Sequence, residues 1–187
     1  NQKEFTEALS ESDRRGSDRK KLIVDVHFSG GDATGIANTR DIGIGGLYMT
    51  ILLHVEDIDK LGYLTFIAAI SVARAVREIS GLDAKVKWPN DVLVNGKKIC
   101  GILTEIVSGG KNSILVGIGL NANQKKFPRS IGNKATSLTI QTNKNYDIKK
   151  LSKLIIKEFN NLYHYYDKRN YGKIMDVWKE YSHTLGK

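Results

Sequence analysis

The chain has 187 residues and a formal net charge of +9, and its single cysteine, Cys100, excludes an internal disulfide framework. Hydrophobic residues make up 41% of the sequence and charged residues 26%, a composition typical of a globular protein with a core. The N-terminus is polar and acidic rather than a signal peptide, and no apolar run has the length of a membrane span, so we expect a cytoplasmic protein that binds no membrane. We interpret the positive charge as a lysine-rich solvated surface and expect no nucleic-acid partner.

The first part of the chain predicts β structure. Residues 20–28 (KKLIVDVHF) alternate as a strand does, and residues 30–35 (GGDATG) are typical of a turn. Residues 38–54 predict a loop that leads into a second strand. The ratio of arginine to lysine also changes along the chain. Residues 1–46 hold four arginines and three lysines, while residues 47–187 hold four arginines and eighteen lysines. This shift predicts a boundary near Gly46.

A helix is predicted over residues 59–79. Asp57 is placed to cap its start and Gly81 to end it. Its apolar residues recur at the helical period and are Leu61, Leu64, Ile67, Ala68, Val72, Ala75, Val76 and Ile79.

A strand meander follows this helix. The segments AKVKW, DVLV, KKICGILTEIV and SILVGIGLN are typical of strands, and Asn95-Gly96 predicts a two-residue hairpin turn. Residues 122–137 form a polar loop that is long enough to indicate either mobility or a function. An amphipathic helix over about 146–168 and a shorter one around Trp178 complete an α+β pattern, with a mainly antiparallel sheet and helices packed on one face.

The hairpin turn predicts which residues share a face. It places Val94 opposite Lys97, Leu93 opposite Lys98, and Asp91 opposite Cys100, so Asp91, Lys98 and Cys100 would point the same way. Lys87 would lean toward the same place. Two interpretations stay open: a solvated cross-strand ion pair, or an anion site in which the lysines face a phosphate or carboxylate and Asp91 holds Mg²⁺.

Glycines in the strand interiors favour the second interpretation. Gly101, Gly117 and Gly119 stand where glycine weakens a strand unless something approaches the backbone closely. They do not form a dinucleotide fingerprint, because no GxGxxG is present and no helix follows. Together with the lysines and Asp91 they suggest a floor for a flat ligand with a charged end.

Several of these segments resemble the catalytic domain of biotin protein ligases. The segments are KVKWPNDVLVNGKKICGILTE, ILVGIGLNAN, FP followed by ATSL, WKEYSHTLGK and GGLYMTILL, and the resemblance runs from about Gly45 to Lys187. It implies a class II synthetase-like core and a reaction in two steps. Biotin and ATP with Mg²⁺ give biotinyl-5′-AMP, and the biotinyl group then passes to a lysine of the biotin carboxyl carrier domain of a carboxylase.

The resemblance also implies roles for single residues. Lys98 corresponds to the lysine that touches the biotin carboxylate and the α-phosphate, and is the catalytic candidate. Substrate and ATP binding falls to Lys87, Asn90, Asp91, Gly101, Gly117, Gly119 and Asn121, with Asp91 also the metal ligand. Within this set, Gly101 and Gly117 would floor the biotin slot and Asn121 would reach the adenine.

Residues 13–49 resemble something different, the start of a PilZ domain, which senses cyclic di-GMP. Arg15 and Arg19 match its Arg-x-x-x-Arg motif, and Asp41 to Gly46 stand where its second motif would lie, with glycine in place of the usual serine. The alternative cyclic di-GMP site is therefore Arg15, Arg19, Asp41 and Gly46. The prediction is a hybrid, with a PilZ-like segment over 1–45 in front of a ligase-like core over 46–187.

The sequence departs from the pattern of biotin protein ligases in two features. No Gly-Arg-rich biotin loop precedes Trp88, and we expect no small C-terminal domain after Lys187. Because that loop shields the adenylate from water, we expect weak ATP or adenylate binding and little ligation. Two rival hypotheses are a non-catalytic module that binds cyclic di-GMP and a relative of the lipoate or octanoyl transferases.

Overall fold

The computed structural model describes residues 20–22, 28–30, 33–42, 45–55, 57–107 and 113–185. Its strands are β1 (Lys20–Leu22), β2 (Phe28–Gly30), β3 (Ala33–Ile42), β4 (Gly46–His54), β5 (Ala84–Lys87), β6 (Asp91–Val94), β7 (Lys97–Val107) and β8 (Ser113–Asn121). Its helices are α1 (Leu61–Ser80), α2 (Leu138–Thr142), α3 (Ile148–Asp167) and α4 (Tyr171–Tyr181).

The strands form one antiparallel sheet in the order β1-β3-β4-β8-β7-β6-β5, with β2 paired to β3. Strands β4 to β8 carry the buried core, which packs against α1, α3 and α4. This arrangement confirms the predicted α+β fold with a mainly antiparallel sheet. Within the part of the chain that the structure describes, no helix is long and apolar enough to cross a membrane.

Helix α1 lies against the sheet through the face that the sequence predicts. The residues Leu64, Ile67, Ala68, Val72, Ala75 and Val76 are all fully buried. The Asp57 carboxylate accepts a hydrogen bond from the Asp59 amide and caps a 3₁₀ turn, so the α-helix itself begins at Leu61 rather than at residue 59. Gly81 ends the helix with φ +74°, a conformation that glycine adopts without strain.

Helix α3 covers α1 with a second apolar face. Asp147 caps its start by accepting hydrogen bonds from the amides of Lys149 and Lys150. Its inward residues Leu151, Ile155, Phe159, Leu162, Tyr163 and Tyr166 are buried, as the amphipathic pattern predicts. The prediction for the two C-terminal helices is therefore confirmed.

The front of the chain agrees with the sequence prediction only in part. Of the strand predicted over 20–28, β1 covers the start and β2 begins at Phe28, while residues 23–27 lie outside the described residues. The loop predicted for residues 38–42 is wrong, because β3 runs through them. Pairing with two strands outweighs the weak strand preference of these residues, since Asn38 lies opposite Thr50 of β4 while Thr39 and Ile42 lie opposite residues of β1.

The sequence predicted two of the three residue pairs in the hairpin between β6 and β7 correctly and the third pair wrongly. Val94 does lie opposite Lys97 and Leu93 opposite Lys98, but Asp91 lies opposite Gly101 instead of Cys100. A β-bulge places an additional residue in β7 after Lys98, and each later residue shifts by one position. Cys100 is therefore buried in the core on the helix side and does not share a face with Lys98.

Candidate functional site

The face of the sheet opposite the helices carries a cavity of about 310 Å³. Strand pairing places one row of residues across this face, from Asp91, which lies beside the cavity and does not line it, through Gly101 and Gly119 to Tyr48. Because neighbouring strands are roughly 5 Å apart, the row spans roughly 14 Å. The cavity is lined by Tyr48, Met49, Thr50, Asn90, Lys98, Gly101, Ile102, Leu103, Gly117, Ile118 and Gly119.

A lysine and an aspartate stand together at one end of this row. The Nζ atom of Lys98 lies 2.5 Å from Oδ1 of Asp91, in an ion pair whose geometry is not that of a directed hydrogen bond. The Asp91 side chain is 23% exposed and that of Lys98 47% exposed, so the ammonium faces the cavity as well as its partner. Such an exposed pair adds little to stability, which leaves the ammonium available for an anion.

Glycine makes this close approach of Lys98 to the sheet possible. A Cβ atom at Gly101 would lie 3.1 Å from both Cε and Nζ of Lys98. At Gly119 a Cβ atom would lie 3.5 Å from the Tyr48 ring. The two glycines therefore leave the floor without side chains between a charged end and an aromatic end.

The turn between β5 and β6 brings two more predicted residues to this end. The Asn90 side chain donates to the Ile102 carbonyl at 2.8 Å, and the Ile102 amide donates to the Asn90 carbonyl at 2.9 Å. These bonds fix the turn to β7 beside the cavity. Lys87 lies opposite Asp91 in the strand pairing and is exposed, so it stands at the rim.

At the other end, two side-chain amides close the base of the long loop. Asn121 donates from Nδ2 to the Thr136 carbonyl at 3.1 Å, and its Oδ1 accepts from Nε2 of Gln124 at 3.2 Å. The Oε1 atom of Gln124 is buried and has no hydrogen-bond partner. Both groups of the Asn121 amide are thus engaged within the protein.

The long loop reaches back to the lysine. The Lys98 amide donates to the Lys134 carbonyl at 2.8 Å, and the Thr136 amide donates to the Lys98 carbonyl at 2.8 Å. The backbone of Lys98 is consequently held on both sides, by β6 and by the loop. The sequence indicates that this loop is mobile or functional, but no motif predicts its contact with Lys98.

Sequence reasoning also missed Tyr48 and Gln124. The sequence indicates Tyr48 only as part of a strand, and a single aromatic residue on a strand gives no sign of which face will be open. Gln124 stands in a polar loop without a motif. A Cβ atom at Gly46 would lie 2.8 Å from the Gln124 amide nitrogen and 3.2 Å from the Tyr48 ring, so all three meet on the open face.

The four residues of the alternative cyclic di-GMP site are only partly placed. Arg15 and Arg19 lie outside the described residues. Asp41 belongs to β3, and Gly46 begins β4 opposite Asn121. Gly46 is therefore part of the sheet that carries the cavity.

Comparison with known proteins relates the sequence and the sheet to a known family. Residues 43–123 match the model of the Biotin/lipoate A/B protein ligase family. This stretch of the sequence is therefore similar to a biotin/lipoate ligase domain. The described part of the chain resembles a biotin protein ligase from Aquifex aeolicus, solved in complex with biotin and ATP, with a TM-score of 0.70 and 30% identity over 76% of this chain and 60% of that one.

Curated relatives extend the likeness beyond the domain match. The bifunctional ligase/repressor BirA of Bacillus subtilis is 33% identical over 146 residues, which cover 75% of this chain and 45% of that protein. A biotin--[acetyl-CoA-carboxylase] ligase of Paracoccus denitrificans is 44% identical over 62 residues, 31% of this chain and 26% of that protein. The chain thus spans about half the length of the BirA proteins that it matches.

Proposed function

We propose that the chain carries a ligase domain, which joins biotin to ATP to give biotinyl-5′-AMP and then transfers the biotinyl group to a lysine of a carboxyl carrier domain. The observation that carries this proposal is the Lys98 ammonium, held beside Asp91 at one end of a glycine-floored cavity. The relatives support it by their names, since one is a biotin ligase solved with biotin and ATP and another is a ligase for acetyl-CoA carboxylase.

In the first step a biotin carboxylate oxygen attacks the α-phosphorus of ATP, and the bond from that phosphorus to the bridging oxygen breaks to release pyrophosphate. Negative charge accumulates on the α-phosphate oxygens in the transition state. Lys98 is placed to stabilise it, because two hydrogen bonds to the long loop fix its backbone and because Lys98 lines the cavity. In the second step the amine of the acceptor lysine attacks the acyl carbon, AMP leaves with the bonding electrons, and the amine loses a proton.

The shape of the cavity suits a flat, largely apolar substrate with one charged end. Gly101 and Gly119 form a floor without side chains, and Gly117 lies beside them on β8 under Leu103. We infer that the fused rings of biotin lie over Gly101 and Gly117, with Gly119 next to the adenylate and the carboxyl end toward Lys98. Asn121 lies at the far end of the same face, where it is proposed to meet the adenine.

Mg²⁺ is implied by the use of ATP, and the residues suit an ion that arrives with the nucleotide. Mg²⁺ commonly binds one or two carboxylates together with substrate phosphates. Asp91 offers one carboxylate oxygen that has an ion-pair partner but no directed hydrogen bond. Among the described residues, no group of three or more His, Cys, Asp and Glu side chains stands ready to hold a metal on its own. Asp91 would hold the ion, and the ion would screen the charge of the phosphates. Lys87 and Asn90 are proposed to border the nucleotide.

The proposal is tested by biotin-dependent exchange of labelled pyrophosphate into ATP. We expect exchange by the unmodified chain and a loss of roughly 10²-fold or more in Lys98→Ala, because a preorganised cation at the developing charge is removed. Lys97→Ala is the matched control, since Lys97 is the neighbouring lysine and does not line the cavity. Exchange that is absent, or equal in both variants, would overturn the proposal. A weak rate in the unmodified chain would agree with the expectation drawn from the missing Gly-Arg-rich loop.

The hybrid with a PilZ-like segment stays a prediction, as do its boundaries of 1–45 and 46–187. Its proposed nucleotide ligands Arg15 and Arg19 are independent of the ligase residues. Arg15→Ala should therefore abolish binding of cyclic di-GMP and leave pyrophosphate exchange intact. Lys98→Ala should leave binding of cyclic di-GMP intact and lower pyrophosphate exchange. Binding that survives Arg15→Ala would remove the reason for a PilZ-like site.

A further inference from the structure

The loop over residues 124–137, called the basic loop below, is strongly cationic. It carries Lys125, Lys126, Arg129 and Lys134, and all four are exposed. The sequence contains no aspartate or glutamate anywhere from residue 106 to residue 146. None of the described acidic side chains forms an ion pair with these four cations. Their charge is therefore not neutralised within the described part of the protein.

The basic loop has a defined shape. Its ends meet where the Ser137 hydroxyl donates to the Gln124 carbonyl at 2.5 Å. Inside it, the amides of Ile131 and Gly132 donate to the Pro128 carbonyl, and those of Lys134 and Ala135 donate to the Ile131 carbonyl, all at 2.9–3.0 Å. These hydrogen bonds hold the backbone of the loop in a compact, closed form, which is typical of functional loops.

The basic loop also stands directly beside the reacting centre. Lys134 and Thr136 hold the backbone of Lys98 by two hydrogen bonds of 2.8 Å. Ile131, an apolar residue in the same loop, is 45% exposed. A cationic surface with an exposed apolar residue next to the catalytic lysine is suited to hold a macromolecule while it is modified.

We propose that the basic loop docks an acidic segment of the protein that receives the acyl group. The inference rests on the proposed function and adds the chemistry by which the acceptor is recognised. Only the second step involves a macromolecule, and its lysine must reach the adenylate next to Lys98. Carboxylates of the acceptor would meet Lys125, Lys126 and Arg129, while Ile131 contacts its apolar surface. Opposite charge at the rim of an interface mainly speeds association and selects the partner.

The test separates the two steps and compares two triple variants with the same change in net charge. One is Lys125→Glu, Lys126→Glu and Arg129→Glu in the basic loop. The control is Lys149→Glu, Lys153→Glu and Lys157→Glu, which reverses three exposed lysines on α3, away from the cavity. Pyrophosphate exchange reports the first step. The second step is measured by transfer from added biotinyl-5′-AMP to the biotin carboxyl carrier domain of an acetyl-CoA carboxylase, at several salt concentrations.

We expect the basic-loop variant to raise the KM for the carrier domain by about tenfold or more and to lose most of the salt dependence of transfer. Pyrophosphate exchange should stay within about twofold of the unmodified chain, and the α3 variant should change neither step. Poly-glutamate should compete with the carrier for the unmodified chain and not for the basic-loop variant.

Three results would overturn this inference in distinguishable ways. Equal KM values for the carrier in both triple variants would mean that the basic loop is a solvated surface. A fall in exchange for the basic-loop variant alone would mean that its cations serve the ATP phosphates instead. No exchange and no transfer by the unmodified chain would reject the proposed function itself, and the docking surface with it.

Discussion

The Nζ atom of Lys98 meets Oδ1 of Asp91 at 2.5 Å because a β-bulge turns Lys98 to the same face as Gly101. With a regular ladder, Asp91 would lie opposite Cys100, a residue that the structure buries in the core. The bulge thus assigns opposite roles to neighbouring residues of β7. Lys98 and Gly101 face the cavity, while Cys100 packs with the helices.

The close contact between Gly101 and Lys98 predicts that Gly101→Ala lowers the rate of pyrophosphate exchange more than it lowers the stability of the fold. The new methyl group would lie 3.1 Å from Cε and Nζ of Lys98, and a flexible side chain yields at that distance by moving its ammonium. We expect pyrophosphate exchange to fall by about tenfold, with the midpoint of chemical unfolding nearly unchanged. Gly62→Ala is the control, because nothing lies within 4 Å of a Cβ atom there in α1, and it should stabilise the fold by up to about 1 kcal/mol without changing exchange. Unchanged exchange in Gly101→Ala would contradict the role given to this glycine.

Asn90 is predicted to position the turn that precedes Asp91, whose carboxylate pairs with Lys98. Asn90→Ala leaves the Ile102 carbonyl without the side-chain donor that bonds it at 2.8 Å, at an expected cost of about 1 kcal/mol in the free energy of unfolding. The turn next to Asp91 should also loosen and lower the rate of exchange. Urea unfolding and exchange measure the two effects. Asn160→Ala, on the exposed side of α3, serves as the control and should leave both nearly unchanged, whereas an equal loss in both variants would count against a positioning role.

Cys100 is predicted to be unreactive in the folded protein. It is the only cysteine of the chain, it is buried, and its burial raises the pKa of the thiol well above the usual value. The reactive thiolate is therefore scarce at neutral pH. Labelling with a thiol-specific disulfide reagent should be slow in buffer and complete within minutes in denaturant. Rapid labelling of the native chain, without loss of structure, would mean that the bulge does not turn this residue into the core.

The aromatic core on α3 predicts a loss of stability at alkaline pH. Burial raises the pKa of Tyr163 to about 12, and the charge of Asp167 acts in the same direction. The folded state thus holds the phenol proton more tightly than the unfolded chain, whose tyrosines titrate near a pKa of about 10. This contribution is complete below pH 10 and is lost as the pH rises from 10 toward 12. Urea unfolding at pH 9 and pH 11 should reveal a smaller loss in Tyr163→Phe than in the unmodified chain, and equal losses would contradict the assignment.

Local signals in the sequence were sufficient for the three long helices α1, α3 and α4 and for the central meander, but not for the short helix α2. Asp57 acts at a helix start through its side chain and Gly81 at a helix end through its backbone, and the Asn95-Gly96 turn determines the first pairs of its hairpin. The motif around Lys98 located the candidate site because its residues lie within one hairpin. What escaped prediction depends on contacts distant in sequence or on a single inserted residue. The bulge at Ile99, the engagement of Asn121 by Gln124 and the hold of Thr136 on Lys98 all belong to this class.

The strand over residues 38–42 was missed for a related reason. Its glycine and asparagine neighbours are typical of loops, and its pairing partners lie in β4 and β1, which are distant in sequence. The same limit applies to Tyr48, whose place at the end of the row from Asp91 follows from three strand pairings at once.

The most direct test of the central claim is isothermal titration with biotinyl-5′-AMP, run beside cyclic di-GMP, on the unmodified chain and on Lys98→Ala. We predict heat for one adenylate per chain in the unmodified protein and an affinity at least tenfold weaker in Lys98→Ala, since the cavity loses its cation. Saturable binding that is identical in the two proteins, or no heat with the adenylate while cyclic di-GMP binds, would contradict the claim that this cavity holds an acyl-adenylate against Lys98.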